Sequence, residues 1–385
     1  MPTDFLWRAR EMETEALVVG GGPAGAAVSI HLARKGWRVR LIEKSAFAKD
    51  KVCGEFLTPE SEPFLKDLGV LDRIEQAGAH AVREILVAAP NGKCAKAPLN
   101  PEAEKSIGIC LSRKRLDALL LEKAKEEGVR VERGTSFEIK ALDSKNGPRV
   151  SSEAPVVIDA RGKSAGSSGE ASAARPKKGS RWIGFKTHFT ELESSEAIEL
   201  YLFREGYLGV VQIEEPLFNV CGIVKEEILE KARGNFDELL KLISRENPVF
   251  LSRIQGGRRV IPWLSVAPLR MRHGKVYEKG IFYVGDAASF IDPFSGEGML
   301  LAMESADLVA KLLPSPNPRG INREEIGRAY EKAWEHRFSS RMKTCASLRR
   351  VTQFSFLENC LVEIFRRSPF LFQRTIRKTR EPVLV

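Results

Sequence analysis

The sequence is poor in the residues that staple or metallate small folds. Its 385 residues include six cysteines, Cys53, Cys94, Cys110, Cys221, Cys345 and Cys360, and five histidines. The cysteines are scattered, with no Cys-x-x-Cys pair and no Cys/His cluster. That argues against a disulfide framework and a structural zinc site, so no metal is expected, and small core positions in a reducing cytoplasm suit such cysteines. No run of about 18 apolar residues occurs, so no membrane-spanning helix is expected. The first fifteen residues carry Asp4, Arg8, Arg10, Glu11, Glu13 and Glu15, too much charge for the apolar core of an export signal. Internal repeats are also missing. The expectation is a cytoplasmic protein.

What is present reads as a folded chain of about two domains, since 43% of residues are hydrophobic and 29% charged, neither the disordered nor the fibrous balance. The net charge of +10 is uneven. From Arg337 to the end, eleven Lys and Arg face three acids, interleaved with Phe338, Phe354, Phe356, Leu357, Phe365, Phe370 and Phe372. Such a stretch could bind an anionic membrane surface peripherally. It equally suits a helix that packs its apolar face on the body. No nucleic-acid-binding motif accompanies the charge, and no nucleic acid partner is expected.

Ala16-Leu-Val-Val-Gly20 is a short apolar run ending in glycine, the mark of a buried parallel strand. Helical spacing follows over 24–35, then a second strand over 38–42 closed by Glu43. Residues 44–64 lack periodicity and read as a long functional loop. Leu116–Glu127 reads as a helix ended by Gly128, with a strand over 129–132 behind it; 155–159 is another buried strand, and 162–180 a surface loop rich in Gly, Ser, Ala and Lys. From 182 the pattern turns strand-like, with a helical stretch at 226–245 and a further strand near 259–267. Residues 281–285 return to the buried-strand pattern, and 298–313 form a helix. The expected α/β architecture is a Rossmann-type domain over 14–178 and 271–320, an inserted and mainly antiparallel sheet over 179–270, and a helical basic region over 321–385.

Gly20-Gly21-Gly22-Pro23-Ala24-Gly25 is a G-x-G-x-x-G between strand and helix. Gly20 permits the tight turn, Gly22 lets backbone approach a pyrophosphate, and Gly25 allows close helix–strand packing. The helix N-terminus supplies N–H donors and partial positive charge. Glu43, eighteen residues past Gly25, can accept hydrogen bonds from ribose hydroxyls. With Pro23, Ala24 and Lys44, these residues make a dinucleotide site that fits FAD or NAD.

A second constellation separates the two. Val284-Gly285-Asp286-Ala287-Ala288 runs on to Asp292-Pro293-Phe294-Ser295-Gly296-Glu297-Gly298-Met299. It resembles the second flavin fingerprint of the aromatic-hydroxylase (p-hydroxybenzoate hydroxylase-like) and geranylgeranyl-reductase superfamily. The resemblance spans most of 14–315 and implies FAD. By it, Asp286 beside Gly285 meets the ribityl chain; Pro293, Gly296, Gly298 and Met299 run along the isoalloxazine, and the following helix aims its N-terminus at the flavin pyrimidine. Leu111-Ser-Arg113-Lys-Arg-Leu116-Asp117 resembles the family's signature at a helix start, which implies a cofactor contact from Arg113. Lys51-Val-Cys53-Gly54-Glu55 resembles the Cys-Gly loop that borders the flavin in geranylgeranyl reductases, with Gly54 passing close to the ring. Cys53 is then either catalytic or a small residue beside the ring. Glu55 and Glu297 are the other catalytic candidates, although Glu297 could as well serve its helix start.

Two positions depart from that pattern. Asp159-Ala-Arg161-Gly162 puts Arg161 where the family has Asp, and Tyr207-Leu-Gly209-Val-Val211-Gln212 keeps only the Tyr of the prenyl-channel signature. A second G-x-G-x-x-G is absent, so electrons are expected from transiently bound NAD(P)H or another donor. The expected substrate is a lipophilic or aromatic small molecule. Hydride transfer from reduced flavin is favoured narrowly over monooxygenation through a flavin hydroperoxide. Two further classes are open: a non-redox flavoprotein of lycopene-cyclase type, and a flavin carrier.

Overall fold

The unbroken apolar run after Glu15 forms the strand Ala16–Val19, buried along its whole length, as a strand covered on both faces must be. The computed structural model describes residues 14–100, 107–137, 139, 156–164, 181–269, 274–316, 321–351 and 355–380. In it this strand lies inside a six-stranded sheet ordered Tyr277–Glu278, Ile281–Tyr283, Val156–Asp159, Ala16–Val19, Val39–Glu43, Arg130–Arg133. All pairings but the first are parallel. Register sets Val19 beside Ile42 and Asp159. Gly20, Glu43 and Ala160 therefore leave the sheet at one carboxyl edge, where open α/β sheets bind ligands.

Helix α1 (Pro23–Arg34) packs between α2 (Arg113–Glu126) and α3 (Gly298–Leu312). The turn before α1 tolerates no side chain. Gly20 has φ +110°, and a Cβ at Gly25 would stand 1.8 Å from the Gly20 carbonyl oxygen. Lys35, just past α1, donates to the Ala310 and Leu313 carbonyls at 2.6 and 2.9 Å, a cation on the negative end of α3.

The second layer is an eight-stranded sheet. Its order is Arg258–Arg259, Trp182–Thr190, Phe218–Lys225, Gly206–Gln212, Ala197–Phe203, Glu84–Ala88, Cys94–Pro98, with Leu264–Val266 also on Trp182–Thr190. The sheet expected over 179–270 thus takes two further strands from 84–98. Glu84–Ala88 pairs parallel with Ala197–Phe203, a partner more than a hundred residues away that short-range patterning does not reveal. Helices at Glu226–Lys231, Phe236–Glu246 and Pro248–Ile254 cover one face, where Phe185, Phe236 and Trp263 form an aromatic cluster. The opposite face looks toward the parallel domain.

The C-terminal region is helical, as expected, but joins both cores. In α4 (Arg323–Val351), Tyr330, Trp334 and Phe338 bury against the parallel domain. From α5 (Ser355–Arg367) and α6 (Pro369–Arg380), Val362, Phe365, Phe372 and Ile376 pack with Leu202, Tyr207 and Ile223 of the large sheet. Three of the Phe residues offered for a membrane, Phe338, Phe365 and Phe372, are thus core; Phe354 and residues 1–13 and 165–180 lie outside the described residues. No helix among the described residues is long and apolar enough to cross a membrane.

Gly25→Ala should strain or shift this turn and cost about 1–3 kcal/mol. Thermal melting and flavin content of the purified protein check it. A variant with wild-type values of both would show that the turn yields freely.

Candidate functional site

The two layers enclose a cavity of about 820 Å³, within the range of small-molecule and cofactor sites. One half is polar and backbone-rich. Gly20, Gly22, Pro23, Ala24, Glu43, Lys44, Arg113, Gly285 and Asp286 line it, while Gly25 does not. Gly25 therefore belongs to helix packing and not to the ligand surface, because its missing Cβ is what lets α1 approach the turn. Glu43 accepts from the Gly21 and Ser45 amides at 2.7 and 2.8 Å. Burial pushes its carboxyl up, yet those two amides prevail and hold it below the usual carboxylate range. Arg113 grips Asp117 with two bonds of 2.9 and 3.0 Å while lining the cavity. Lys51 adds a third charge on Asp117 at 2.7 Å. Burial raises Asp286 against the pull of Lys163 and Arg113.

The other half is apolar. Leu200, Tyr207, Val211 and Ile223 from the large sheet face Phe290, Phe294 and Leu269, and Cys53, Gly54, Pro293, Gly296, Gly298 and Met299 border the junction. Tyr207 meets Phe294 edge-on at 5.2 Å, and burial drives its phenol far up from the ordinary value. Cys221, unremarked in the sequence, also lines this half, its thiol pushed up to about 12 by burial.

These surfaces fit an extended dinucleotide. At Gly54 and Gly298 nothing lies within 4 Å of where a Cβ would stand, and at Gly22 only an Arg113 nitrogen at 3.7 Å does. All three offer bare backbone to the cavity. Neither α1 nor α3 has a side-chain cap at its N-terminus. Their first amides are therefore left for a ligand, which is the arrangement that attracts anions. Gly22, Pro23 and Ala24 would hold the diphosphate, Glu43 the adenosine ribose, Asp286 the ribityl chain, and Gly296, Gly298 and Met299 the ring.

The three catalytic candidates fare differently. Cys53 borders the cavity, half-buried, its sulfur accepting from the Glu55 amide at 3.4 Å. Glu55 also lines the cavity but is fully buried, with φ +56°. Its carboxylate pairs with Lys186 Nζ at 2.5 Å and His188 Nε2 at 2.8 Å, and accepts from the Arg113 amide at 2.6 Å. Burial raises the carboxyl, but the His188 bond and the Lys186 charge outweigh it and hold it below the usual range. Glu55, a catalytic candidate from the sequence, is thus held as a charged group that anchors its loop and is ill placed to donate a proton. Asp50 also comes close to Glu55 and His188, but the Lys186 ammonium stands where a metal cation would be repelled. The signal for Lys186 is its place in the strand Trp182–Thr190 beside Trp182, Ile183, Phe185 and Phe189, where a buried lysine needs an anion.

Glu297 does not line the cavity. It is wholly buried at the start of α3, 3.4 Å from Arg341, which also bonds Glu304 at 2.5 Å. Burial lifts its carboxyl to about 7 against the pull of Arg341 and Arg380. That placement ties α4 to α3 and removes Glu297 from the candidates for acid–base chemistry on a ligand.

The Glu55 pair makes a signed prediction. Because its native carboxyl titrates below the ordinary 4.5, its contribution is fully present above that value and is lost only as pH falls through the lower native one. Lys186→Met leaves a buried carboxylate short of a partner, at a cost of about 3 kcal/mol or more near neutral pH. The native pKa should then rise, so the deficit should shrink on acidification to roughly pH 5. Urea unfolding at the two pH values measures this; a constant deficit would contradict it.

Known proteins fit this geometry. Conditioned medium factor receptor 1 of Dictyostelium discoideum is 27% identical over 359 residues, covering 84% of this chain and 68% of its own. Digeranylgeranylglycerophospholipid reductase of Methanococcus vannielii is 25% identical over 351 residues, covering 86% and 84%. Among solved structures, the flavin-dependent brominase Bmp2 superposes with a TM-score of 0.76 at 20% identity, covering 95% of this chain and 93% of that one, a likeness of fold. Residues 13–211, more than half of the chain, match the FAD binding domain family, and the chain belongs to that family of FAD-dependent enzymes.

Proposed function

We propose that this enzyme performs redox chemistry on a lipophilic or aromatic small molecule lodged in the apolar half of the cavity. The observation that carries the reading is the division of the cavity. A dinucleotide surface of glycines and helix N-termini opens directly onto Leu200, Tyr207, Ile223, Leu269 and Phe290, a lining that excludes water and leaves polar substrates unpaired. Bound FAD would supply hydride transfer, with electrons from transient NAD(P)H or another donor. The chain's own residues orient the acceptor against Tyr207 and Phe294 and deliver a proton from the Cys53 thiol at the junction. Reduction of an unsaturated lipophile is the first reading, and the name of the archaeal reductase supports it.

Oxygen-dependent modification of an electron-rich ring is the second, favoured by one observation. Glu55 follows Cys53 and Gly54 on the cavity wall and is held toward its charged form. It is thus poorly suited to give up a proton in a reduction, whereas oxygen chemistry needs chiefly the dry pocket.

Anaerobically reduced protein should be reoxidised by an unsaturated lipophile without oxygen. Cys53→Ala should slow that step by about 10²-fold at unchanged flavin content. Reoxidation only when oxygen is admitted, with one oxygen atom gained by the product, would replace the first reading by the second.

We also propose peripheral contact with anionic membranes through the α5–α6 corner. Ile364, Phe370 and Leu371 are 49%, 67% and 42% exposed, beside the exposed Arg366, Arg367, Arg374, Arg377 and Lys378. An apolar tip ringed by cations matches an anionic bilayer surface. The protein should sediment with phosphatidylglycerol vesicles and not with phosphatidylcholine ones. Phe370→Asp with Leu371→Asp should abolish this, and equal sedimentation of wild type and variant would refute it.

A further inference from the structure

Arg380 is the last described residue of α6 and is 4% exposed, yet its side chain lines the cavity. A guanidinium stays protonated even when buried and offers five N–H donors. Here Nη1 donates to the Leu99 carbonyl at 3.3 Å, while Nε is buried with no partner. No carboxylate among the described residues lies at ion-pair distance from it. Glu60 and Glu297 attract it only from farther away, and burial lowers its pKa against that attraction. A buried cation this poorly served is costly unless something else completes it.

Its position tells where that something would sit. The guanidinium stands over the Phe56 ring at 6.0 Å. Phe56 in turn lies against Gly296, whose Cβ would stand 3.1 Å from the ring. Arg380 therefore reaches the cavity beside Phe56 and the Gly296–Gly298 turn, at the junction of the two halves. The unpaired cation faces the substrate half.

We propose that Arg380 recognises a carboxylate on the substrate, so that the molecule this enzyme takes is a lipophilic or aromatic acid and not a neutral lipid. This rests on the reading of the apolar half as the substrate site and adds the substrate's charge. A planar guanidinium fork matches a carboxylate better than a point charge would. Phe56 beneath the guanidinium fixes its plane. Arg380 comes from the same helix that places Phe372 and Ile376 in the adjoining core. The acid group would thus be read by the C-terminal region and the apolar body by the large sheet.

The test uses FAD-loaded full-length protein and reads binding from the perturbation of flavin absorbance and fluorescence, without turnover. The probes are dodecanoate and its methyl ester. Dodecanoate should bind the wild type tighter than the ester by roughly ten- to hundredfold. Arg380→Met should bring the two to within about threefold by weakening dodecanoate alone, whereas Arg380→Lys should keep part of the preference. Should Arg380→Met not fold, Arg380→Lys carries the comparison, together with loss of the wild-type preference as pH falls through the probe's own carboxyl pKa. Equal binding of acid and ester to wild type, or a preference that survives Arg380→Met, overturns the role of Arg380 and leaves the lipophilic site standing. If neither probe perturbs the flavin, the lipophilic reading itself fails, and this proposal with it.

Discussion

The site depends on one buried charge. Glu55 sits at zero exposure in a left-handed backbone conformation, a double cost that persists only because three donors converge on it. The donors come from the two layers that enclose the cavity. Lys186 and His188 come from the strand Trp182–Thr190 of the large sheet, and the Arg113 amide from the start of α2 in the parallel domain. The loop carrying Cys53 and Gly54 is thereby pinned between the two layers. Asn219 adds a bond to the Cys53 carbonyl at 3.1 Å from a neighbouring strand. An apolar residue at 55 could fill the same volume, but it could not orient the loop toward both domains at once. The charge specifies the loop's position more than it stabilises the fold.

The same logic orders the charges around it. Asp117 is served by Arg113 and Lys51, and Glu304 by Arg341 and Arg337. At Asp117 burial would push the acid toward its neutral form, and the paired cations oppose it. Glu297 and Arg380 are the poorly served members. Glu297 is 3.4 Å from an arginine already committed elsewhere, so its carboxyl rises. Arg380 has a carbonyl and an aromatic face for company. The two attract one another across the end of α3 without touching, and this leaves positive potential on the cavity side and the ionisable acid behind it.

Legibility followed locality. The turn at Gly20–Gly25, the acid at Glu43 and the run from Gly285 to Met299 are local solutions to local problems: a glycine where a Cβ would meet a carbonyl, an acid at a strand end. Such constraints are written in consecutive residues, and the parallel sheet, its carboxyl edge and much of the polar lining of the cavity could be read directly. The strand Glu84–Ala88 is different. Its place in the large sheet is decided by a parallel partner at Ala197–Phe203, and nothing nearby announces it. Glu55 and Glu297 look alike in sequence, each next to a glycine in a loop near the expected ring, but one meets a lysine 131 positions later and the other an arginine 44 positions later. Those meetings bind the first in a charged cluster on the cavity wall and set the second behind the wall.

The helical region is the clearest case of a pattern that carries two readings. Its apolar stripe was open to burial in the body or to insertion in a bilayer, and the structure divides it by residue. Phe365 and Phe372 stack on each other at 4.4 Å in the core, while Phe370, two residues before Phe372, is exposed. A helix of 3.6 residues per turn separates positions two apart by about 200°. One short helix can therefore turn an aromatic to the solvent and another to the protein, and ten residues after Phe370 it can set Arg380 on the inward side. An exposed apolar tip at Phe370 and a buried cation at Arg380 thus lie on one helix, about three turns apart. An amphiphilic acid partitioning from a membrane would meet both.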